Sequence, residues 1–459
     1  MKTNTLDFDA QALRERILDL AMRGKLVPQD PNNEPASTLL KSCDLKSANE
    51  QPHVIPRSWE WIVLGSAVKF INGRAYKKAE LLEDKSLTPV LRVGNLFTNS
   101  SWYYSDLQLD PDKYIDNGDL IYAWSASFGP RIWDGDHVIY HYHIWKLVLD
   151  QVVDKNYLYY FLLDKRNVIG ETDLHGSTMK HITKTNMEHL SFPLPPLIEQ
   201  QRIAAKIAQL FALLRKVESS TQQYAELQTL LKTKVLDLAM RGKLVKQDPN
   251  DEPASELLKK IKAEKAELIK EKKIKKTKPL PPITDDEKPF DIPDSWKWVR
   301  LGDVAENMRY GFTASAKDEG NSKFLRITDI QDNMVNWNAV PSCNVPHAKI
   351  NDLQLHDEDI LIARTGGTVG KSYLVKKIPG RVVFASYLIR IRLFPIQRND
   401  YISLVLKSPL YWHFISEKQS GTGQPNVNAS KLSEFILPLP PINEQARIVK
   451  MVFNLKNQL

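Results

Sequence analysis

A long internal repeat constrains this chain more than any other feature. Residues 17–41 read ILDLAMRGKLVPQDPNNEPASTLLK, and residues 235–259 read VLDLAMRGKLVKQDPNDEPASELLK. The two segments match at 21 of 25 positions with an offset of 218 residues, which chance does not produce. A repeat of this length predicts that the chain carries the same structural unit twice.

Two shorter repeats follow each copy in the same order. IPRSWEWIVL at residues 55–64 recurs as IPDSWKWVRL at 292–301, and FPLPPLIEQQR at 192–202 recurs as LPLPPINEQAR at 437–447. Their offsets are 237 and 245, and between these markers the two halves diverge in sequence. We therefore expect one fold in both halves, with different residues on its surface.

The jump in offset from 218 to 237 places an insertion of 19 residues in the second half. Residues 259–278 hold ten lysines and lead into the sequence KPLPPITDDEKP. This composition predicts a basic helix that continues into a proline-rich, extended linker.

Helical apolar spacing follows each of the two LPLPP segments. In the first copy, apolar residues recur at steps of three and four through residues 203–217 and, after one slip, through 224–238. The pattern predicts a coiled-coil-like helix from Leu197 to about Met240, with Gly242 as its stop. At the usual rise per residue this helix is on the order of 60 Å long.

The two chain ends together make up a second copy of this helix. By the offsets above, Leu459 corresponds to position 214 and Met1 to position 219. The apolar stripes of the two terminal helices are Leu6, Leu13, Ile17 and Leu20, and Ile448, Val452, Leu455 and Leu459. This cyclic repeat predicts two pseudo-twofold-related globular domains separated by long antiparallel coiled-coil helices.

Each globular half has the pattern of an α+β fold. Runs of β-branched and aromatic residues are separated by Gly, Asn and Asp turns and predict strands at 120–124, 138–149, 360–364 and 382–392. Helical spacing appears near 157–164 and 401–406.

Composition narrows the class of protein without fixing its function. A hydrophobic fraction of 42% excludes wholesale disorder, and a net charge of +8 favours an anionic partner. Cys43 and Cys343 lie far apart without metal-ligand or redox spacing, which predicts reduced thiols. Residues 1–9 lack the apolar core of a signal peptide and no apolar stretch is long enough to span a bilayer, so we expect a cytoplasmic protein.

The segment TGGTVGKS at residues 365–372 resembles a phosphate-binding P-loop but fails on spacing. A Walker loop needs glycine five residues before Gly370, and Thr365 stands there. We interpret the segment as a glycine-rich turn between strands. Its backbone amides, Thr368 and Lys371 could still hold a DNA phosphate, which needs no Walker geometry.

Two further patterns point away from metal binding. His137, His141 and His143 alternate on one face of a predicted strand without a Cys or acidic companion, which favours structural or base-contacting histidines over zinc ligands. The aspartates of residues 110–119 lack the Gly and Glu of a calcium loop and predict a turn. Nucleophile-elbow, HExxH, GxGxxG, kinase and amino-methyltransferase signatures are also absent, so the sequence predicts no active site and no metal site.

Basic and polar residues interleaved with aromatics occupy the divergent part of each half. Arg and Lys suit guanine edges and phosphates, and Asn and Gln suit adenine, as direct readout of DNA requires. For any one of these residues, solvated surface is about as good an interpretation as DNA contact. The candidates in the first half are Arg74, Tyr76, Lys77, Lys78, Ser125, Ser127, Arg131, His175, Ser177, Thr178 and Lys180. In the second half they are Arg309, Tyr310, Thr313, Arg364, Thr365, Thr368, Lys371, Gln424, Asn426 and Asn428.

The doubled RGKLV(P/K)QDPN(N/D)EPAS segment, the IPxSWxW segment and the LPLPP(L/I)xEQxRI segment together resemble the specificity subunit of a type I restriction-modification enzyme, over essentially the whole chain. The resemblance implies two target recognition domains, each reading one half of a bipartite asymmetric DNA sequence, with the helices as a ruler between them. It also implies that double-stranded DNA, two adenine methyltransferase subunits and two translocating nuclease subunits are the partners. S-adenosylmethionine, ATP and Mg are then expected in those subunits, and no cofactor in this chain.

The repeats divide the chain into six segments. They are an N-terminal helical region (1–45), a first recognition domain (46–196), a central helix region (197–258), a Lys-rich extension with a Pro-rich linker (259–291), a second recognition domain (292–441) and a C-terminal helix (442–459). The Lys-rich insertion departs from the family pattern, and we expect a solvated helix extension there rather than a DNA clamp. Two alternatives stay open: a DNA-modifying enzyme with an unrecognised active site, and a scaffold that binds other proteins.

Overall fold

The computed structural model describes residues 8–97, 101–125, 129–169, 182–419 and 426–458. The chain divides into two compact units: unit 1 ends at Gln222 and unit 2 begins at Gln223. Both mix helices with sheets, which confirms the predicted α+β class. In the described parts of the chain, no helix combines the length and apolar character needed to cross a membrane.

Unit 1 consists of short strands and helices followed by one long helix. Its helices are α1 (Ala10–Met22), α2 (Ala36–Ser42), α3 (Leu64–Ala67), α4 (Val93–Phe97), α5 (Lys155–Leu163), α6 (Lys165–Ile169), α7 (Lys184–Glu188) and α8 (Leu197–Met240), which continues into unit 2. Its strands are β1 (Glu60–Val63), β2 (Val68–Asn72), β3 (Thr88–Leu91), β4 (Tyr103–Ser105), β5 (Tyr114–Ile115), β6 (Leu120–Ala123), β7 (Gly129–Ile132), β8 (Val138–Tyr140), β9 (Ile144–Leu149) and β10 (Ser191–Leu194).

Unit 2 has a similar order of elements, with differences between β13 and β17. Its helices are α9 (Ala254–Lys270), α10 (Leu301–Val304), α11 (His347–Leu353), α12 (Asn399–Val405), α13 (Pro409–Gln419), α14 (Ala429–Glu434) and α15 (Ile442–Gln458). Its strands are β11 (Lys297–Arg300), β12 (Ala305–Tyr310), β13 (Ser322–Leu325), β14 (Ile330–Gln331), β15 (Met334–Val335), β16 (Ser342–Cys343), β17 (Ile360–Ala363), β18 (Ser372–Leu374), β19 (Val382–Phe384), β20 (Leu388–Leu393) and β21 (Ile436–Leu439).

The two units share the topology of the four-stranded antiparallel sheet and of the two-stranded sheet that pairs β1 with β10 or β11 with β21, and differ in a third sheet, which is β4-β3-β8-β5 in unit 1 and β16-β13-β19 in unit 2. A four-stranded antiparallel sheet has the order β2-β9-β6-β7 in unit 1 and β12-β20-β17-β18 in unit 2. The β3–β8 pair is parallel, as is β13–β19. Strands β1 and β10 pair with Glu60 opposite Leu194, and β11 and β21 pair with Lys297 opposite Leu439, which are the same positions by the repeat offsets. The prediction of one fold in both halves is confirmed.

Two of the predicted strands are wrong in extent, because each is two strands separated by a turn. The run 138–149 breaks between β8 and β9, which belong to different sheets, and 382–392 breaks between β19 and β20 in the same way. At each break another stretch of backbone passes close by. A Cβ on Gly73 would stand 2.4 Å from the Tyr140 carbonyl oxygen, and one on Gly311 would stand 2.3 Å from that of Ala385, so only glycine fits.

The repeated segments pack against one another and form what we call the joint of each unit. Gly24 and Gly242 follow α1 and α8 with φ of +65° and +67°, which confirms Gly242 as the helix stop. In unit 1, Gln29 Nε2 donates to Glu199 Oε1 over 2.6 Å. In unit 2, Gln247 Nε2 donates to Glu444 Oε1 over 2.5 Å. The repeated segments are therefore packing partners within each unit.

Apolar residues of the long helices occupy equivalent core positions in the two units. The unit 1 core takes Leu18, Ala21 and Met22 from α1, and the unit 2 core takes Leu236, Ala239 and Met240 from the end of α8, each 218 residues later. The start of α8 likewise contributes Ile203 and Ile207 to unit 1, and α15 contributes Ile448 and Val452 to unit 2. In unit 1, α1 therefore takes the core position that the end of α8 takes in unit 2, and in unit 2, α15 takes the core position that the start of α8 takes in unit 1, as the repeat offsets predict.

Candidate nucleic-acid interface

Some of the candidate residues lie at one end of the four-stranded sheet in each unit. The segment after β6 returns to the β8–β9 turn, where Trp124 N donates to His143 O over 3.0 Å. In unit 2 the segment after β17 meets the β19–β20 turn in the same way, with Arg364 N donating to Tyr387 O over 3.0 Å. The divergent residues of the two halves therefore occupy corresponding places in one fold.

In unit 2, four of the predicted residues form what we call the Arg364 cluster: Tyr310, Arg364, Thr365 and Asn426. The guanidinium carbon of Arg364 lies 4.6 Å from the centroid of the Tyr310 ring. Thr365 and Asn426 form an antiparallel bridge, and Val427 N donates to Arg364 O over 3.0 Å. The Nε of Arg364 is buried without a hydrogen-bond partner among the described residues.

Packing on the Tyr310 ring determines how the Arg364 guanidinium can bind a ligand. Tyr310 is 41% exposed, and its hydroxyl accepts a hydrogen bond from Ala429 N over 3.0 Å, which fixes the ring under the guanidinium. An arginine held in this way loses little entropy when it binds a planar, bidentate acceptor. The edge of guanine and a phosphate group are the two acceptors in DNA that fit this fork.

The glycine-rich segment 365–372 is a turn between antiparallel strands β17 and β18, as the spacing predicts. A P-loop would lead from a strand into a helix instead. Gly366 has φ of +75° and open space around its Cα, and Lys371 is exposed. Lys371 N donates to Thr368 O over 3.0 Å, which closes the turn, and the exposed Lys371 side chain is the cation that the segment presents.

Three other predicted residues of unit 2 lie outside the cluster. Arg309 pairs with Asp352 at 2.8 Å, so part of its charge is used within the protein. Asn428 accepts a hydrogen bond from Lys431 N over 2.8 Å and is the N-cap of α14, a structural role that its residue type predicts equally well. Thr313 is exposed, and Gln424 falls outside the described residues.

In unit 1, Arg74 and Tyr76 lie together beside the β8–β9 turn. Arg74 forms an ion pair with Glu80 at 2.8 Å, and its guanidinium carbon lies 5.4 Å from the Tyr76 centroid. Tyr76 stacks on His141 at 6.4 Å, and burial raises the pKa of its phenol well above the ordinary value, which keeps the hydroxyl protonated. Lys77 and Lys78 follow, both exposed.

Ser125 and Arg131 lie further along the same sheet. Ser125 follows β6, and Arg131 in β7 donates from Nη1 to Leu96 O over 2.9 Å while Nη2 lies 3.9 Å from the Asp134 carboxylate. The remaining candidates of this half lie outside the described residues; they are Ser127, His175, Ser177, Thr178 and Lys180.

The prediction that His137, His141 and His143 share one strand face is wrong. His137 Nδ1 lies 2.6 Å from Asp116 Oδ1 and its ring stacks on Tyr114 at 4.6 Å, whereas His141 and His143 belong to the β8–β9 turn. The three side chains do not share one strand face because β8 ends at Tyr140, before His141 and His143.

The turn carries a group of rings that the candidate residues omitted, here called the Trp124 cluster: Trp124, His141, Tyr142 and His143. The His143 ring lies 4.9 Å from Trp124 and 4.0 Å from Tyr142, and His141 lies 4.8 Å from His143. Burial and the neighbouring His143 lower the pKa of His141 to about 4, so its imidazole is neutral at neutral pH. Neutral rings at a surface are suited to stacking and apolar contact with bases. The sequence signal was the run HYH next to a strand end.

Comparisons with known proteins agree with this doubled architecture. Residues 56–229 and 293–459 match the family model described as the type I restriction modification DNA specificity domain. The chain is 30% identical to the specificity subunit of the Escherichia coli type I restriction enzyme EcoEI, over 97% of this chain and 89% of that protein. It is 31% identical to the specificity subunit of the Escherichia coli enzyme EcoAI, over 96% of this chain and 88% of that protein.

Two solved structures have the same fold. The HsdS subunit from Thermoanaerobacter tengcongensis aligns with a TM-score of 0.52 and 18% identity, over 89% of this chain and 92% of that one. A chain from a structural study of complex assembly and conformational transition in the type I R-M system aligns with a TM-score of 0.58 and 19% identity, over the same 89% and 92%.

Proposed function

The chain belongs to the type I restriction modification DNA specificity family, and on that basis we propose that it reads a bipartite, asymmetric DNA target, one half-site by each unit. Recognition of the DNA target by two domains is the role of this family, and the specificity subunit is a non-catalytic part of the complex. The observation that carries the proposal is the pair of corresponding sheet ends with different side chains, the Arg364 cluster and the Trp124 cluster.

Within this proposal the two recognition domains are residues 46–196 and 292–441, and the predicted site residues are their DNA contacts. The Arg364 cluster is the best supported, because the structure brings its members together. The boundary drawn between 258 and 259 runs through α9, so we place the insertion in the second half of that helix and the segment that follows.

The specificity subunit works with DNA and with other subunits of the type I complex. We infer two methyltransferase subunits, which hold S-adenosylmethionine and methylate adenine at N6, and two translocating nuclease subunits, which hold ATP and Mg. The middle of α8 supports a protein partner, because Tyr224, Leu227 and Leu230 are each more than half exposed. The isolated chain is accordingly expected to aggregate, and co-expression with its methyltransferase partner is expected to rescue it. A monodisperse, fully active monomer would contradict this.

The deciding experiment is to sequence N6-methyladenine in the DNA of cells that express this chain with its methyltransferase partner. The expected result is a gapped motif of two unrelated half-sites, and a footprint of the purified complex with two protected segments. A chain that cuts or modifies DNA alone would be an enzyme instead, and a chain without any footprint would be a scaffold.

The length of α8 provides a second test, since this helix continues from unit 1 into unit 2. Four residues inserted after Leu227 would add about 6 Å of rise and about 400° of rotation, which nearly restores the original face. At about 3.4 Å per base pair, the spacer of the methylated motif should grow by one or two base pairs while both half-sites stay the same. An active enzyme with an unchanged spacer would refute the ruler.

A further inference from the structure

The Lys-rich insertion begins in a helix that is anchored on the core of unit 2. Ala254, Leu257 and Ile261 of α9 are buried in that core, and Leu268 packs against it from the last turn. The helix ends at Lys270, and residues 271–278 follow as a non-helical segment, here called the lysine segment. Its start is therefore held in place by apolar packing.

The chain just after the lysine segment is anchored as well. Arg300, which is 5% exposed, donates from Nε to Pro281 O over 2.8 Å and from Nη2 to Pro282 O over 3.4 Å. The same guanidinium donates to Glu287 over 2.8 Å and to Glu434 O over 2.9 Å. A buried arginine with this many acceptors holds the proline-rich linker against β11 and α14. The lysine segment is thus anchored to unit 2 by the residues on both sides of it.

Charge along the insertion is neutralised unevenly. Lys259 pairs with Glu256 at 2.7 Å and Lys260 pairs with Glu252 at 2.6 Å. In contrast Lys275, Lys276 and Lys278 are exposed and form no ion pair with any residue that the structure describes. Within the lysine segment Lys273 pairs with Glu271 at 2.8 Å. Lys262, Lys265 and Lys270 of α9 also form no ion pair with a described residue, so unpaired positive charge runs along the insertion and includes the three exposed lysines at its end.

The lysine segment lies beside β12, which carries Tyr310, and beside α14, whose Ala429 N donates to the Tyr310 hydroxyl over 3.0 Å. A cavity of about 390 Å³ is lined on one side by Lys275, Lys276 and Lys278, and on the other by β12 and by the first residue of α14. Strand β12 ends at Tyr310, a member of the Arg364 cluster, and α14 begins two residues after Val427. Lys265 adds a fourth cation to the lining and Asp303 and Glu306 add two carboxylates, so the lining keeps a net charge of +2.

We propose that Lys275, Lys276 and Lys278 bind phosphates of the DNA backbone beside the half-site that unit 2 reads. The proposal rests on the proposed function of this chain and assigns a second, sequence-independent contact to unit 2 alone. Fixed cations next to a base-reading residue set the register of the protein on the duplex, while the base contacts specify the sequence. The expectation of a solvated extension then applies to the exposed face of α9 and not to the lysine segment.

The test uses the chain co-purified with its methyltransferase subunits. The triple variant K275Q/K276Q/K278Q is compared with K259Q/K260Q/K262Q, which removes the same charge from α9. Dissociation constants are measured against salt concentration, on a duplex with the methylated motif and on one with both half-sites scrambled. Each lost phosphate contact makes the negative slope of log K against log salt shallower by about 0.9, so the slope of the first variant should become shallower by up to about 2.7 on both duplexes. The control should lose less than one contact, and neither variant should change the methylated motif.

The results of this experiment distinguish the lysine proposal from the proposed function. A slope equal to that of the control overturns the lysine proposal even if the wild-type complex binds its motif. A wild-type complex that does not prefer its motif over the scrambled duplex overturns the proposed function itself. An unchanged melting temperature of the complex shows that the exposed substitutions leave the fold intact. A changed motif would mean that these lysines contact bases, which also contradicts the proposal.

Discussion

The joints of the two units are nearly identical in sequence but differ in one ion pair. In unit 2, Asp251 accepts hydrogen bonds from Arg447 over 2.6 Å and from Asn443 over 3.2 Å. By the repeat offsets the corresponding residues of unit 1 are Asn33, Arg202 and Ile198. There Nε and Nη2 of Arg202 and Nδ2 of Asn33 are buried without hydrogen-bond partners among the described residues.

This difference shows how little sequence identity says about electrostatics. A single exchange of Asp for Asn replaces an acceptor of charge −1 by a neutral amide, and the arginine opposite it loses its counter-charge. Unsatisfied buried donors cost free energy, whereas the paired set in unit 2 is satisfied. We infer that the joint of unit 1 is the weaker of the two, although equivalent apolar residues from the repeats pack into both cores.

At the sheet ends the difference is larger and has another meaning. After β17, the guanidinium of Arg364 packs on the Tyr310 ring, whereas after β6 the Trp124 ring packs against that of His143. One unit presents a guanidinium fork and the other a set of aromatic rings. Different side chains at corresponding positions are expected where two domains read different half-sites.

Removing the tryptophan of one joint should have the largest effect. Trp296 is 1% exposed, and its Nε1 donates to Glu444 over 2.9 Å. Trp296→Ala should lower the free energy of unfolding of unit 2 by about 3–5 kcal/mol, because it opens a cavity and leaves a buried acceptor. Hydrogen exchange resolved along the chain would measure the loss in each unit, with Trp59→Ala as the matched variant of unit 1. Equal loss of protection in both units would show that they do not fold as separate bodies.

Changes at the sheet ends should act on one half-site only. Replacing Arg364 and Lys371 by Ala should weaken or relax recognition of one half-site by about 1–3 kcal/mol for a lost base contact. If they hold phosphates instead, affinity should fall uniformly and the salt dependence should flatten. Sequencing of the methylated motif distinguishes these results, and Trp124→Ala is the matched variant for the other half-site. If either variant altered recognition of both half-sites equally, the proposal that each unit reads one half-site would be refuted.

The sequence predicted the parts of the fold that the repeats mark. The end of α8 at Met240 followed from an apolar stripe and a glycine, and the equivalence of α1 and α15 to the two parts of α8 followed from arithmetic on the offsets. The breaks at 141–143 and 385–387 did not follow, because neither contains the Gly, Pro, Asn or Asp that marks a turn in a sequence. What ends these strands is the close backbone of Gly73 and Gly311, a tertiary contact that local pattern does not contain.

The sequence predicted which residue types belong to the candidate site, but not which of their side chains contact one another. Tyr310 and Arg364 are 54 positions apart, so nothing local indicates that one supports the other. Asn428 was selected as an adenine reader, yet its place before a helix also fits the N-cap role that the structure gives it. The Trp124 cluster was missed because its rings come from two separate segments, and only the fold brings them together.

The smallest expected effect tests the joint directly, by giving unit 1 the acid of unit 2. Asn33→Asp should pair with Arg202 and raise the free energy of unfolding of unit 1 by about 1 kcal/mol, and Asp251→Asn should lower that of unit 2 by a similar amount. The expected gain is modest because the equivalent Arg447 side chain is 36% exposed.

The pH dependence provides the control for this exchange. The hydrogen bond from Arg447 lowers the pKa of Asp251 below its ordinary value. A carboxyl whose folded pKa is lowered stabilises the protein above its unfolded pKa, about 3.9 for Asp, and that contribution is lost as the pH falls through the folded value. The gain from Asn33→Asp should therefore be present at pH 7 and disappear in acid, measured by denaturant unfolding with hydrogen exchange to assign each unit. A gain that persists in acid would mean that the new aspartate acts by some contact other than an ion pair with Arg202, and the proposed electrostatic difference between the two joints would be wrong.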